Sequence, residues 1–201
     1  MEQSHVIWTR CGEWTGRELT PDRLRRLEQY RDWLLTEAVK AGGLGPYETE
    51  RIDNRHIGDS LLFAGGFPID PGQILDVGSG VGLPGIPLSL VMPTTEFFLL
   101  DRSGRRVDLM KRAVRVLDLQ NVQVIHGELS DWHTPVDGIV SRASLSPDQA
   151  VTSFSRILGP EGRAVVGGSW AAPPVVVGFD LIEVPGAVLD QKVWLLIMQP
   201  Q

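Results

Sequence analysis

Glycine at alternate positions behind an acid constrains this chain more than any other feature. The stretch Ile74-Leu75-Asp76-Val77-Gly78-Ser79-Gly80-Val81-Gly82-Leu83-Pro84-Gly85-Ile86-Pro87 passes from a short apolar run through an acid and glycines into a second apolar segment. Such a pattern reads as strand, tight turn and helix. Gly78, Gly80 and Gly82 admit torsions and close approaches that a Cβ forbids. A ligand can therefore lie against bare main chain at a helix start. A glycine-rich linker is the alternative, but the strand and helix on either side argue against it.

Gly80-Val81-Gly82-Leu83-Pro84-Gly85 also satisfies the dinucleotide spacing. Pro87 follows too soon, however, for a long phosphate-facing helix. Asp-x-Gly-x-Gly-x-Gly is instead the pattern of class I methyltransferases, whose ligand S-adenosylmethionine carries no phosphate. An acid beside the loop is then tolerable, and Asp76 is expected to meet the ligand's ammonium group. Ser79, Leu83 and Pro84 join the glycines as expected cofactor contacts.

From residue 73 strands and helices alternate, the signature of a parallel sheet with crossover helices. Strands are expected at 73–77, 96–100, 122–126, 137–140, 161–167, 178–184 and 192–198. Helices are expected at 84–91, 103–118 and 147–158, with a turn near Glu128–Trp132. The last two strands read as an antiparallel hairpin at the sheet edge. The expected fold class is α/β: a class I methyltransferase (Rossmann-like), seven-stranded doubly wound sheet with an N-terminal helical extension. Residues 1–70 form the helical cap and 71–201 the methyltransferase core. In the cap, Thr20 is an N-cap with Pro21 at the first helical position. Leu24, Leu27, Leu34, Leu35 and Ala38 recur at helical spacing until Gly42-Gly43. Residues 46–66 read as a further helix. Residues 1–19, with Trp8 and Trp14 among polar neighbours, carry no assignable element.

With 201 residues, 42% of them hydrophobic, the chain suits one domain with a real core. No apolar run reaches the roughly 18 residues that span a bilayer. Met1-Glu2-Gln3-Ser4-His5 lacks the basic and apolar segments of a secretory signal. Cys11 alone excludes an internal disulfide. A cytoplasmic monomer, away from membranes and without a metal, is expected. A net charge of −6 argues against a general nucleic-acid coat protein. Even so, Arg102 and the helix bearing Arg105, Arg106, Lys111, Arg112 and Arg115 make a basic surface. It is either a solvated face or a phosphate-binding ridge.

Asp101 ends the second strand, where a carboxylate can accept both hydroxyls of a ribose; otherwise it caps the following helix. Arg102 adjoins it as a further cofactor contact. Glu128 and Leu129 follow the third strand, where adenine rests in such folds. Ser141-Arg142-Ala143 leaves the fourth strand where a methyl group should point. An arginine beside a sulfonium needs an anion: the cofactor carboxylate, an RNA phosphate, or a structural bridge to Asp76 or Asp137.

Arg55-His56-Ile57-Gly58-Asp59-Ser60, the loop through Leu83-Pro84-Gly85-Ile86-Pro87-Leu88, and Ser141-Arg142-Ala143 together resemble the glucose-inhibited division protein B family. These are the small-subunit ribosomal RNA guanine-N7 methyltransferases, and Gly45-Pro46 is similar to their actinobacterial branch. The resemblance implies S-adenosylmethionine as donor and small-subunit ribosomal RNA, free or in the ribosomal subunit, as acceptor. It implies that Arg55 and His56 sit beside the active cleft and that Arg142 lines it, the three acting in catalysis. Arg55, His56, Arg105, Arg106 and Lys192 are the expected substrate contacts. The chain departs from the family at two places. Gly167-Gly168-Ser169 replaces a Lys-Gly at the end of the fifth strand, and Lys192 stands where an arginine precedes the last strand. Guanine N7 has a free lone pair and no proton to lose, so alignment rather than a general base should carry the reaction. A divergent small-molecule methyltransferase and a non-catalytic, cofactor-binding ribosome-associated protein are the rival readings.

Overall fold

A computed structural model describes residues 2–142, 144–169 and 171–199; Ala143, expected in the fourth-strand exit, lies outside them. Seven strands form one sheet: β1 (Gln73–Val77), β2 (Glu96–Asp101), β3 (Val122–His126), β4 (Val136–Ser141), β5 (Leu158–Ser169), β6 (Asp180–Val184) and β7 (Val193–Met198). The helices are α1 (Glu2–Thr15), α2 (Pro21–Trp33), α3 (Asp59–Leu62), α4 (Gly85–Val91), α5 (Gly104–Val116), α6 (Pro147–Phe154) and α7 (Gly186–Leu189). Strand order is β3-β2-β1-β4-β5-β7-β6, the class I methyltransferase order, with β7 antiparallel to both neighbours. The order reverses between β1 and β4, so a crevice opens at the carboxyl ends of those strands.

The last two strands pair antiparallel at the sheet edge, as expected, with β7 between β5 and β6 and α7 in their connection. The apolar run Val193, Leu195, Leu196 and Ile197 is buried as an internal strand requires. α6 stops at Phe154 and β5 starts at Leu158, earlier than its apolar run suggests, because the ladder to β4 begins at Leu158 and shifts register before Arg163.

Residues 1–19, unassigned from sequence, form α1. Ser4, Ile7, Trp8 and Cys11 are its buried face, a helical spacing among otherwise polar residues. Asp53 ties the extension together: its carboxylate accepts from Ser4 Oγ (2.8 Å) and Arg31 Nε (2.7 Å), and its carbonyl from Trp8 Nε1 (3.0 Å). Thr20 caps α2 by accepting from the Arg23 N–H, and the helix continues as a widened π turn, Leu34–Ala38. The single helix expected at 46–66 is broken. A 3-10 segment Pro46–Arg51 leads into a π turn Ile52–Gly58, then α3 and a 3-10 turn Phe63–Gly66. Every residue from His56 to Ala64 is buried, which no regular surface helix achieves.

One apolar cluster runs from Trp8, Leu27 and Tyr30 through Leu62 and Ile86 to Phe97 and Leu109. The first 70 residues therefore share their core with one face of the sheet. The other face packs Leu75 and Ile139 against Ala150 and Phe154 of α6. No helix among the described residues is long and apolar enough to cross a membrane.

Candidate functional site

After β1 the backbone folds over the end of β2: Gly78 N–H and Ser79 N–H both donate to the Leu100 carbonyl (2.9 and 3.1 Å). Asp76 fastens this loop from behind. Its Oδ2 accepts from Ser79 Oγ (2.6 Å) and from the Gly85 N–H (2.8 Å), while Oδ1 has no hydrogen-bond partner among the described residues. Burial pushes its carboxyl up to about 6 against the pull of those two bonds. Asp76, expected to meet a ligand ammonium, is instead fully buried under the loop and is not among the residues that line the cavity over the strand ends.

The three glycines divide the work. A Cβ on Gly78 would overlap Ser144, and one on Gly82 would overlap Ile86, so protein fills both positions. Gly80, with φ +68°, has only the Gly78 carbonyl within 4.0 Å of its missing Cβ. The bare face offered to a ligand is one residue wide. Gly82 lies behind the cavity wall, and Pro84, after a cis Leu83-Pro84 bond, turns the chain into α4 without lining it.

A cavity of about 930 Å³ opens over the carboxyl ends of β1, β2 and β4. Gly78, Ser79, Gly80 and Leu83 form one wall; Asp101, Arg102 and Arg106 a second; Glu128 and Leu129 a third; Arg142 closes the inner end. Several contributors had no clear sequence signal. Gly43 and Leu44 come from the cap, where the glycine pair read only as a helix stop, and Thr152 and Arg156 come from the α6 segment. Asp101 makes the expected contact with the start of the following helix and also lines the cavity. Its Oδ1 caps the chain into α5 by accepting from the Ser103 N–H (2.8 Å), and Oδ2 accepts from the Gly80 N–H (3.0 Å) on the cavity wall. Arg106 Nη1 lies 3.6 Å from the same Oδ2.

The Arg142 guanidinium is held from the protein side. Nη1 donates to the Arg55 carbonyl (3.0 Å) and lies 3.5 Å from Asp59 Oδ2. Its structural anion is thus Asp59, neither Asp76 nor Asp137; Asp137 instead accepts from the Gln73 N–H (2.8 Å). Burial raises the Asp59 carboxyl, opposed by Arg142 and Arg55. Arg142 Nη2 approaches His56 Nδ1 (3.3 Å), which makes Nδ1 the acceptor and leaves Nε2–H to donate to Glu48 Oε2 (2.9 Å). Burial first, then the Arg142 charge, lower His56 to about 4. The expected catalytic His56 is therefore a neutral, fully engaged side chain outside the cavity that positions Arg142.

Other expected substrate contacts also fall elsewhere. Arg55 is outside the cavity that Arg142 lines. Arg105 donates to the Ala41 carbonyl and pins the segment carrying Gly43 and Leu44. Lys192 is exposed and pairs with Glu183 (2.7 Å). At the departure in β5, Gly167 has φ +145° at a bulge against β7, and a Cβ there would sit 3.0 Å from the Trp194 carbonyl oxygen. A lysine at that position would push β7 away. On the cap side, Tyr30 Oη donates to the Val81 carbonyl (3.0 Å), so α2 buttresses the glycine loop.

Comparison with known proteins agrees with this geometry. A ribosomal RNA small subunit methyltransferase G of Mycobacterium marinum is 35% identical over 147 residues, 70% of this chain and 63% of the relative. One of Acidothermus cellulolyticus is 32% identical over 148 residues, 74% of this chain and 66% of the relative. In both, the match spans less than two thirds of the relative's own length. The crystal structure of MtNAS in complex with MTA and tNA superposes with a TM-score of 0.60 at 17% identity, over 88% of this chain and 70% of that one, a likeness of fold. The profile of one family, GidB, described as rRNA small subunit methyltransferase G, matches residues 23–170. That span runs from α2 to the end of β5 and takes in every wall of the cavity, and the chain belongs to the GidB family.

Proposed function

We propose that the cavity binds S-adenosylmethionine and that the protein methylates N7 of a guanine in small-subunit ribosomal RNA. The observation that carries the reading is the Gly80–Asp101 pair: an open main-chain face and a carboxylate, joined by a 3.0 Å hydrogen bond, on the wall of one crevice. The remaining lining fits the same ligand. Asp101 would accept from the ribose hydroxyls as a charge-assisted partner. Leu129 and Leu100 offer apolar surface for adenine beside Glu128, and Arg142 offers a cation to the methionine carboxylate, with Arg102 at the rim. When bound, this cofactor supplies an electrophilic methyl group on positively charged sulfur.

The protein's own contribution is alignment. Guanine N7 needs no deprotonation, and His56, with both ring nitrogens engaged, has no free position for a substrate proton. Arg142, fixed by Asp59, His56 and the Arg55 carbonyl, presents a rigid positive wall that orients the reactants. Arg106 lines the crevice, and the exposed Lys111, Arg112 and Arg115 of the same helix would extend a basic face for RNA.

The test uses purified protein, radiolabelled S-adenosylmethionine, and small subunits or their deproteinised RNA from a strain lacking the native enzyme. Label in one guanine, mapped by cleavage at N7-methylguanosine, is expected. Binding of S-adenosylhomocysteine without label in any RNA, or label in a small metabolite instead, overturns the proposal.

A further inference from the structure

A second cavity, of about 470 Å³, is lined by Arg55, whose carbonyl accepts from Arg142. Arg142 lines the first. The two guanidinium groups share one buried carboxylate oxygen: Asp59 Oδ2 is 3.7 Å from Arg55 Nη1 and 3.5 Å from Arg142 Nη1. The cavities are therefore neighbours separated by a single ion-paired ridge.

The chemistry of the second cavity is distinctive. Its floor is neutralised by the Arg31–Asp53 pair (2.7 Å). Asn54 and Gln191 line it half-buried, and among the described residues neither amide makes a side-chain hydrogen bond. Each amide carries a donor and an acceptor in one plane, the pattern that reads the edge of an unstacked base. Arg51 stands exposed on the rim without an ion pair among the described residues, next to Glu50. Partly desolvated amides with unused capacity beside an uncommitted guanidinium match one nucleotide: a base edge and its phosphate.

We infer that this second cavity binds the nucleotide adjoining the methylated guanine, with its base edge on Asn54 and Gln191 and its phosphate on Arg51. The inference rests on the reading of the first cavity as an RNA methyltransferase site. It makes the substrate a locally single-stranded segment whose consecutive bases are splayed into two pockets across the Arg55–Arg142 ridge.

Fluorescence anisotropy tests it, with labelled single-stranded segments tiling small-subunit ribosomal RNA, including the one that spans the mapped guanine, and saturating S-adenosylhomocysteine. The double variant Asn54→Ala/Gln191→Ala is expected to bind this RNA about tenfold more weakly. Its calorimetric affinity for S-adenosylhomocysteine and its circular dichroism should match wild type. In methyl-transfer assays KM should rise by a similar factor, with kcat within about twofold. Arg51→Ala should reduce the slope of log affinity against log salt by about 0.7, one phosphate contact on a single strand. Unchanged RNA affinity in the double variant overturns the inference, as does a fall in kcat without a change in KM. Loss of binding to whole subunits with naked RNA binding intact also overturns it and makes the cavity a protein contact. If RNA binding depends on both amides yet wild type transfers no methyl group, the second cavity stands and the catalytic reading fails.

Discussion

Replacing Asp76 by asparagine keeps the outline of the side chain that fastens the glycine loop and removes its charge. Burial raises this carboxyl from 3.8 to about 6. Between those values the folded protein holds a proton that the unfolded chain has released, so stability falls as pH rises through the window and levels off above it. At about 1.4 kcal/mol per unit, the fall amounts to about 3 kcal/mol. Asp76→Asn lacks it, so the stability of the variant relative to wild type should climb by about 3 kcal/mol between pH 4 and 6. His56 acts in the opposite sense. Its value drops from 6.5 to about 4, so the unfolded chain takes up a proton first as pH falls. The stabilisation is complete above 6.5 and is lost toward 4. His56→Gln, measured against wild type, should therefore decline by about 3 kcal/mol as pH rises from 4 to 6.5. Asp59, also raised by burial, adds to the Asp76 direction, so difference curves rather than the wild-type curve isolate each group. Urea titrations followed by circular dichroism at half-unit pH steps supply those curves, with m-values checked for constancy. Parallel curves for wild type and Asp76→Asn would refute the claim that burial outweighs the two hydrogen bonds to this carboxyl beneath the loop.

Gly80→Ala places a side chain in the left-handed region, at about 1–2 kcal/mol, and on the only open face of the loop. Calorimetry should show S-adenosylhomocysteine affinity reduced at least tenfold, with Tm lower by a few degrees. Gly78→Ala, which drives a Cβ into Ser144, should cost more stability, about 2–3 kcal/mol by urea denaturation. Tyr30→Phe leaves the Val81 carbonyl without its buried donor and should cost about 1–2 kcal/mol in the same assay. Neutralising Lys111, Arg112 and Arg115 together should flatten the salt dependence of RNA binding by about 2 in slope; an unchanged slope makes α5 a solvated face.

The sheet was legible because its central strands are largely buried and spell short apolar runs, as Ile74-Leu75 and Phe97 to Leu100 do. The glycine loop and Asp101 were legible for a related reason, since a turn that leaves backbone open restricts residue type. What pattern reading could not supply was the direction of side chains after folding. Asp76 and Asp101 are both acids at strand ends, yet one is sealed under the loop and the other lines the crevice. His56 looks catalytic in a string of letters, but whether an imidazole is free depends on Glu48 and Arg142, which meet it only in three dimensions. The broken helix between residues 46 and 66 was hidden because its geometry answers to burial on all sides, not to local propensity. α1 had a readable signal, Ile7 and Cys11 one turn apart with Trp8 beside them, masked by polar neighbours.

β6 touches the sheet only through β7, which follows it in the chain. During synthesis, then, β5 and β6 both emerge before the strand that joins them, and each waits with an unsatisfied row of amides and carbonyls. Premature termination between Val184 and Val193 would strand two sticky borders at once. Quality control by chaperones or proteases should bear hardest on nascent chains stalled in that interval, and a partner peptide mimicking Val193–Met198 should be able to zip into the gap they leave.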